Sequence, residues 1–228
     1  NSTDPNYNVV PVSIGMADTL AHLALYLWYD VYDSIVGPDF LPKYGPKMIQ
    51  LIGSAMIDQV QGTEKLGYAE GGIKITLMKL NNMEVLNEYI FKTMHHEFSH
   101  ILHQQKKYPT EYAQINPADY DPIKWQDRTN KEAWQMGYVT NYGSSQATED
   151  FVEVIANYIV KPDAWWQNML KEAGEEGAAI INQKWEICNT WLAEKWNIDL
   201  QAMHDEVQKR QNNLDIEKVM NLEFLNGK

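Results

Sequence analysis

Residues 88–103 read Glu-Tyr-Ile-Phe-Lys-Thr-Met-His-His-Glu-Phe-Ser-His-Ile-Leu-His, with no Gly or Pro and with apolar residues at helical spacing. On a helix, His96 and His100 lie one turn apart, so both imidazoles project from one face and can hold one metal ion. Glu97 falls roughly 100° round the helix from His96, where its carboxylate can reach a metal-bound water. This H-E-x-x-H arrangement is typical of the active-site helix of a zinc hydrolase.

The residues around the motif favour a buried helix. Its apolar side chains provide a face for packing, and the two His and Glu97 share the border of that face. These apolar residues are Val85, Leu86, Ile90, Phe91, Met94, Phe98, Ile101 and Leu102. The alternative is a structural helical protein in which the string arose by chance and forms a polar stripe in solvent. Metal analysis of the purified chain separates the two interpretations.

A catalytic zinc takes three protein ligands and leaves its fourth position to water, so one ligand must lie elsewhere in the chain. His103 continues the same helical face, but it lies ~4.5 Å further along the axis than His100, and an unbroken helix cannot bring it back to the ion. The long zinc motif that uses a third His needs a glycine after the second, and residue 101 is Ile. We expect His103 to line the cleft or to donate to a ligating residue, with plain helix packing as the open alternative.

A later helix offers carboxylates. Residues 148–160 carry an apolar stripe, and Glu149 and Glu153 lie one turn apart on it. That spacing suits one zinc ligand, Glu149, and one acceptor for the free ring N–H of a ligating His, Glu153. The alternative is a solvated face on which acidic residues complement the helix dipole.

These motifs together resemble a known family. The His-Glu-Phe-Ser-His string is followed by Asn141-Tyr142-Gly143 and then by Glu149-Asp150-Phe151-Val152-Glu153. The order and offsets resemble the catalytic domain of lethal-factor-type zinc metallopeptidases, and more closely the zinc-binding metallopeptidase lipoproteins of Bacteroidota cell envelopes. The resemblance covers residues 82–160.

The resemblance implies a role for each matching residue. His96, His100 and Glu149 would bind one Zn²⁺ ion, Glu97 would be the general base, and Tyr142 would stabilise the oxyanion. Residue chemistry agrees, because a carboxylate beside a zinc-bound water can take its proton and a phenol can stabilise negative charge on a carbonyl oxygen. An amphipathic surface position is the alternative for Tyr142, since the chain has 13 tyrosines.

Composition limits the partners. The formal net charge of −12 makes nucleic acid an unsuitable partner, because such a surface repels phosphates. Cys188 is the single cysteine, which excludes an intramolecular disulfide and a cysteine metal cluster. The sequence has no transmembrane run, and its polar start fits a chain whose export signal and lipid anchor have been removed. The resemblance implies an exported protein of the cell envelope, in the periplasm or on the outer membrane.

Periodicity places the remaining elements. It predicts a helix over residues 16–35, strands over 48–52 and 72–78, and a short helix over 130–137. The strand at 72–78 is expected near the cleft, at a sheet edge that binds extended substrate or else in the sheet interior. The loop over 109–130 is expected to form a cleft wall, with Tyr120 and Trp125 contacting substrate. Two or three C-terminal helices are predicted, over 164–173, 178–196 and 200–222.

The sequence therefore predicts an α+β, zincin-like metallopeptidase with a small mixed sheet, an active-site helix and a helical C-terminal subdomain. The catalytic core is expected over residues 1–160 and the C-terminal subdomain over 161–228. The predicted activity is zinc-dependent hydrolysis of peptide or protein substrates by a monomer. The alternative is a catalytically weak or inactive envelope protein of the same fold that binds peptide or glycan.

Overall fold

The structure, a computed structural model, describes residues 9–57, 62, 64–81 and 91–226 of the chain. It combines a small mixed sheet with many helices, which confirms the predicted α+β class. The predicted active-site helix includes residues 88–90, and its expected apolar face includes Val85, Leu86 and Ile90, all of which lie outside the described residues. Among the described residues, no helix is both long enough and apolar enough to span a bilayer.

The helices and strands follow this order along the chain. The helices are α1 (Ile14–Ala24), α2 (Asp30–Ile35), α3 (Phe40–Tyr44), α4 (Phe91–Gln105), α5 (Asn130–Gln135), α6 (Ala147–Val160), α7 (Asp163–Trp196), α8 (Leu200–Asn212) and α9 (Ile216–Met220). The strands are β1 (Met48–Leu51), β2 (Met56–Ile57), β3 (Glu64–Lys65), β4 (Gly67–Glu70) and β5 (Lys74–Leu77).

Packing divides the chain into two compact units. Unit 1 runs up to Ile101 and resumes at Lys209, whereas unit 2 is the continuous segment Leu102–Gln208. The division falls inside α4. The units are defined by packing, and the division after residue 160 that the sequence suggested stays a prediction.

The sheet of unit 1 has the strand order β1-β5-β4. Strand β5 pairs in parallel with β1 and antiparallel with β4, so the strand predicted over 72–78 is the central one. Ile75, Thr76 and Leu77 are accordingly buried. Strand β4, which no alternation in the sequence indicated, forms an outer edge of the described sheet.

The predicted helix over 16–35 is present, with a π-helical turn at Leu25–Tyr29 between α1 and α2. A π-turn replaces the i→i+4 backbone hydrogen bonds of an α-helix by i→i+5 bonds. Arg210 of α8 contacts this turn, since its Nη1 donates to the Tyr26 carbonyl at 2.6 Å and to Asp30 Oδ2 at 2.7 Å. Residues after 208 thus complete the N-terminal helical layer of unit 1.

Helix α4 buries an aromatic face in unit 1. The Phe98 ring packs edge-on against Trp28 and Tyr32, with centroid distances of 5.3 and 5.1 Å. Phe98 and Met94 are both fully buried. Burial of such side chains contributes about 1.5–3 kcal/mol each, so this contact fixes which face of α4 points into the core.

Unit 2 is built on α6 and α7. Residues 149–159 of α6 are all buried, and α7 contacts both α6 and α5. Two of the predicted helices, 164–173 and 178–196, form the one helix α7 with a kink at Gly174, whose φ of 74° is non-helical. Helix α5 begins with a capping box between Thr129 and Glu132, which explains the start of the short helix predicted there.

Candidate metal centre

His96 and His100 lie as the helical spacing predicts. Their Nε2 atoms are 3.2 Å apart and their ring planes are inclined by 77°. A tetrahedral zinc ion with bonds of about 2.0–2.1 Å separates two of its ligand atoms by about 3.4 Å. The two imidazoles therefore already have the separation that one zinc ion requires.

Glu97 follows His96 on α4 and is 5 % exposed. Strand β4 passes close by, because a Cβ atom at Gly67 would lie 3.3 Å from Glu97 Oε1 and 2.7 Å from the Thr93 methyl carbon. The lack of a side chain at Gly67 is thus what allows the strand to approach this face of the helix. Glu97 is held against a backbone edge and beside the His pair.

Glu149 completes the set. One ligand atom from each of His96, His100 and Glu149 lies within 4.8 Å of the other two. Glu149 is in the first turn of α6 and is 9 % exposed, and Gln146 Nε2 donates to its Oε1 at 3.3 Å. Two imidazoles and one carboxylate are the donor set of a catalytic zinc site that keeps one position open. The residues present therefore fit a zinc ion.

Tyr142 lies in a short 3₁₀ turn, Tyr142–Ser145, that is closed by side-chain hydrogen bonds. Asn141 Oδ1 accepts from the Tyr142 N–H at 2.9 Å, and Thr140 Oγ1 accepts from the Gly143 N–H at 3.0 Å. The Trp125 ring packs edge-on against the Tyr142 ring at 5.0 Å. Tyr142 is thus held by backbone and ring contacts on a segment of unit 2.

Comparison with known proteins decides the family. A family model described as "Putative zinc-binding metallo-peptidase" matches residues 1–201. The chain belongs to this family. The crystal structure of a putative zinc-binding metallo-peptidase from Bacteroides caccae is similar, with 39 % identity and a TM-score of 0.76, over 93 % of this chain and 84 % of that one. No curated protein matches the chain.

In this member of the family, Glu153 lies one turn after Glu149 and is 1 % exposed. Its Oε2 accepts from Thr140 Oγ1 at 2.6 Å and from Asn157 Nδ2 at 3.2 Å. Glu153 is therefore not a residue of a solvated face. Through Thr140, Glu153 connects α6 to the segment just before the Tyr142 turn. A hydrogen bond between Glu153 and a ligating His stays a prediction.

His103 lies in the wall of a cavity of unit 2 with a volume of about 450 Å³. Its ring contacts Tyr108 edge-on at a centroid distance of 5.6 Å. The other lining residues are Gln104, Lys107, Tyr108, Thr110, Ala113 and Gln114. That His103 lines the active-site cleft or donates to a ligating residue stays a prediction.

His95 directly precedes the H-E-x-x-H string, and it lies in the core. His95 is fully buried, its Nδ1 lies 3.3 Å from the Tyr32 hydroxyl, and burial lowers the pKa of its imidazole to about 3. The ring is neutral at neutral pH, because burial disfavours its charged form. The apolar Met94 next to it in the sequence was the one feature that indicated burial of His95.

The loop over 109–130 consists of short 3₁₀ turns at Tyr112–Gln114, Pro117–Asp119 and Lys124–Asp127. Tyr120 was expected to contact substrate, but its hydroxyl donates to Asp150 Oδ2 at 2.8 Å. That hydrogen bond gives Tyr120 a role inside unit 2. Trp125 contacts Tyr142, so the loop supports the turn that carries the predicted oxyanion-stabilising phenol.

No pattern in the sequence marks Gly67, and its place beside Glu97 leads to a testable prediction. Gly67→Ala places a methyl group against Thr93 and Glu97, so the carboxylate must move, and we expect kcat/KM for peptide hydrolysis to fall about 10- to 100-fold. Zinc content should stay unchanged, because no ligand is displaced. Steady-state kinetics and metal analysis of the purified variant measure both quantities.

Gly15→Ala is the matched control, because a Cβ at Gly15 of α1 would meet nothing within 4 Å. A second variant that adds Thr93→Ser to Gly67→Ala removes the nearest clashing methyl and should restore part of the activity. Full parental activity in Gly67→Ala would contradict the proposed tight packing of β4 against Glu97.

Proposed function

We propose that the chain is a zinc-dependent metallopeptidase that hydrolyses peptide bonds in peptide or protein substrates. The convergence of His96, His100 and Glu149 carries the proposal, since ligand atoms of all three lie within 4.8 Å of one another. Two further observations support the proposal. The donor set fits zinc, and the chain belongs to a family described as putative zinc-binding metallo-peptidases. One zinc ion per chain is proposed.

The reaction combines the metal with groups of the protein. A bound zinc ion supplies a Lewis acid that lowers the pKa of its water towards about 7. The Glu97 carboxylate takes the proton of the attacking water and later delivers it to the leaving amine. The Tyr142 hydroxyl donates a hydrogen bond to the carbonyl oxygen as negative charge develops there. Glu97 is 5 % exposed, so its carboxylate acts where water competes little for its hydrogen bonds.

Strand β4 suits the binding of an extended substrate. It pairs with β5 on one side, and no further strand of the described sheet pairs with its other side. We infer that substrate backbone pairs with this free edge, which Gly67 brings beside Glu97. This assigns to β4 the substrate-binding edge that the sequence suggested for residues 72–78.

Metal removal and restoration test the proposed function. We expect the purified chain to contain about one zinc per molecule and to cleave members of a mixed peptide library, as detected by mass spectrometry. A chelator should abolish cleavage, and added zinc should restore it, because a zinc ion held by His96, His100 and Glu149 would supply the Lewis acid that activates water for attack.

Two outcomes would contradict the proposal. Zinc near one equivalent without cleavage of any peptide would favour the alternative of a non-catalytic peptide- or glycan-binding protein. A chain that binds no zinc would remove the basis of the proposed chemistry.

A further inference from the structure

Unit 2 contains a pair of charged side chains that are both fully buried. Lys184 of α7 and Asp150 of α6 are each 0 % exposed, and Lys184 Nζ lies 2.7 Å from Asp150 Oδ2. Burial raises the pKa of Asp150 and lowers that of Lys184, and each charge opposes the shift of the other. Both groups are thus held at a desolvation cost, which their mutual attraction offsets.

Lys184 joins more than two elements. Besides Asp150, its Nζ donates to the Gly137 carbonyl at 2.9 Å and lies 3.9 Å from the centroid of the Tyr138 ring. Asp150 Oδ2 also accepts from the Tyr120 hydroxyl at 2.8 Å. One ammonium group and one carboxylate therefore connect α6, α7, the segment after α5 and the 3₁₀ loop.

Close backbone packing brings Lys184 to Gly137. A Cβ at Gly137 would lie 2.3 Å from the Ile180 side chain, and a Cβ at Gly177 would lie 2.4 Å from the Trp134 carbonyl oxygen. Gly177, Ile180 and Lys184 follow one another at helical spacing on one face of α7. That face presents the ammonium group to the chain segment just after α5.

The pair lies directly behind two residues of the proposed site. Asp150 follows Glu149 in the first turn of α6, and a side chain at Gly143 would lie 3.4 Å from Asp150 Oδ1. Gly143 is in turn the neighbour of Tyr142. The Asp150 carboxylate is therefore packed between the start of the helix that carries Glu149 and the turn that carries Tyr142.

Stability alone is a weak reason for such a pair, because a buried ion pair can often be replaced by neutral side chains of similar volume without loss of stability. A geometric constraint explains it better. The ammonium group has directed bonds to a helix residue and to a loop carbonyl, and those bonds fix the two segments relative to each other.

We propose that Lys184 and Asp150 are positioning residues that hold Glu149 and Tyr142 in the geometry the site requires. The proposal rests on the proposed function. Glu149 and Tyr142 are both in unit 2, so the four residues form one connected set within that unit. Neither Lys184 nor Asp150 is assigned a chemical step.

The test is the double variant Lys184→Met, Asp150→Asn, which removes both charges and leaves neither one uncompensated. We expect a folded protein whose zinc dissociation constant, measured by competition with a chromophoric chelator, rises about 10- to 100-fold, as outer partners of zinc ligands typically cause. We also expect kcat to fall more than KM rises, because Tyr142 contacts the carbonyl oxygen only as charge develops.

The matched control is Asp30→Asn, Arg210→Met. This pair is likewise buried, with a distance of 2.7 Å between Arg210 Nη1 and Asp30 Oδ2, but it lies in unit 1 beside the π-helical turn. It should change thermal stability and leave the zinc dissociation constant of the folded protein unchanged. If the double variant at 150 and 184 does not fold, Lys184→Arg, which keeps the charge but changes the donor geometry, is expected to weaken zinc binding by a smaller factor.

The outcomes separate the two proposals. The positioning roles alone would be overturned if the parental enzyme is active and the folded variants at 150 and 184 keep its zinc dissociation constant and its kcat. A parental chain that neither binds zinc nor cleaves peptides would overturn the proposed function and the positioning roles with it.

Discussion

Glu97→Gln is expected to lower kcat for peptide hydrolysis by about 10²–10⁴-fold, the usual contribution of a general base. The amide is nearly isosteric with the carboxylate but cannot take a proton from the attacking water. Because Glu97 is not among the three converging ligands, zinc content should remain near one per chain. Metal analysis and initial rates on one preparation measure both quantities.

Glu194→Gln is the control for this change, since Glu194 is an exposed residue of α7. It carries the same charge change and should leave kcat and zinc content at their parental values. Hydrolysis by Glu97→Gln at the parental rate would show that another group is the base.

Glu149→Gln is expected to weaken zinc binding by at least about 100-fold, which exceeds the typical effect of losing an outer partner of a ligand. The substitution preserves the volume of the side chain and removes its negative charge, so the helix should fold while the zinc site keeps only the two imidazoles. Peptide hydrolysis should be lost at low zinc concentration. Titration with zinc against a competing chelator measures the change.

Glu176→Gln provides the comparison, because Glu176 is an exposed carboxylate on α7. Its zinc dissociation constant should equal that of the parental chain. If Glu149→Gln bound zinc as tightly as the parental chain, a different residue would have to be the third ligand.

Helices α4 and α6 could be predicted because the pattern that marks each helix lies within its own residues. The spacing of His96 and His100 needs only the helical repeat, and the apolar stripe of residues 148–160 identifies α6 without knowledge of the rest of the chain. Glu149 was a candidate ligand from the spacing of the acidic residues on α6, and the family resemblance supported the same residue. No periodicity in the sequence places those two segments together.

The short strands escaped prediction for a physical reason. Strands β2 and β3 have two residues each, and β4 begins with a glycine, so none shows the alternation that marks a half-buried strand. Which strands pair depends on contacts between segments that are distant in the sequence. The role of Gly67 depends on the closeness of a helix that only the folded chain reveals.

Lys184 has a sequence pattern from which its burial could have been predicted. It occupies a buried stripe of α7 with Ile181, Cys188 and Trp191, all nearly inaccessible to solvent. A lysine among apolar residues at helical spacing predicts a buried acidic partner. The sequence cannot say which of the chain's acidic residues that partner is, because the choice depends on tertiary contacts.

The two units differ in when they can be completed during synthesis. Unit 2 is continuous, so all of its residues have been translated once the chain reaches Gln208. Unit 1 resumes at Lys209, and Arg210 supplies the cation that binds Asp30 and the Tyr26 carbonyl. Domains commonly fold in the order in which the ribosome releases them. In this chain the bonds of Arg210 to the N-terminal helices can form only after the whole of unit 2 has been translated.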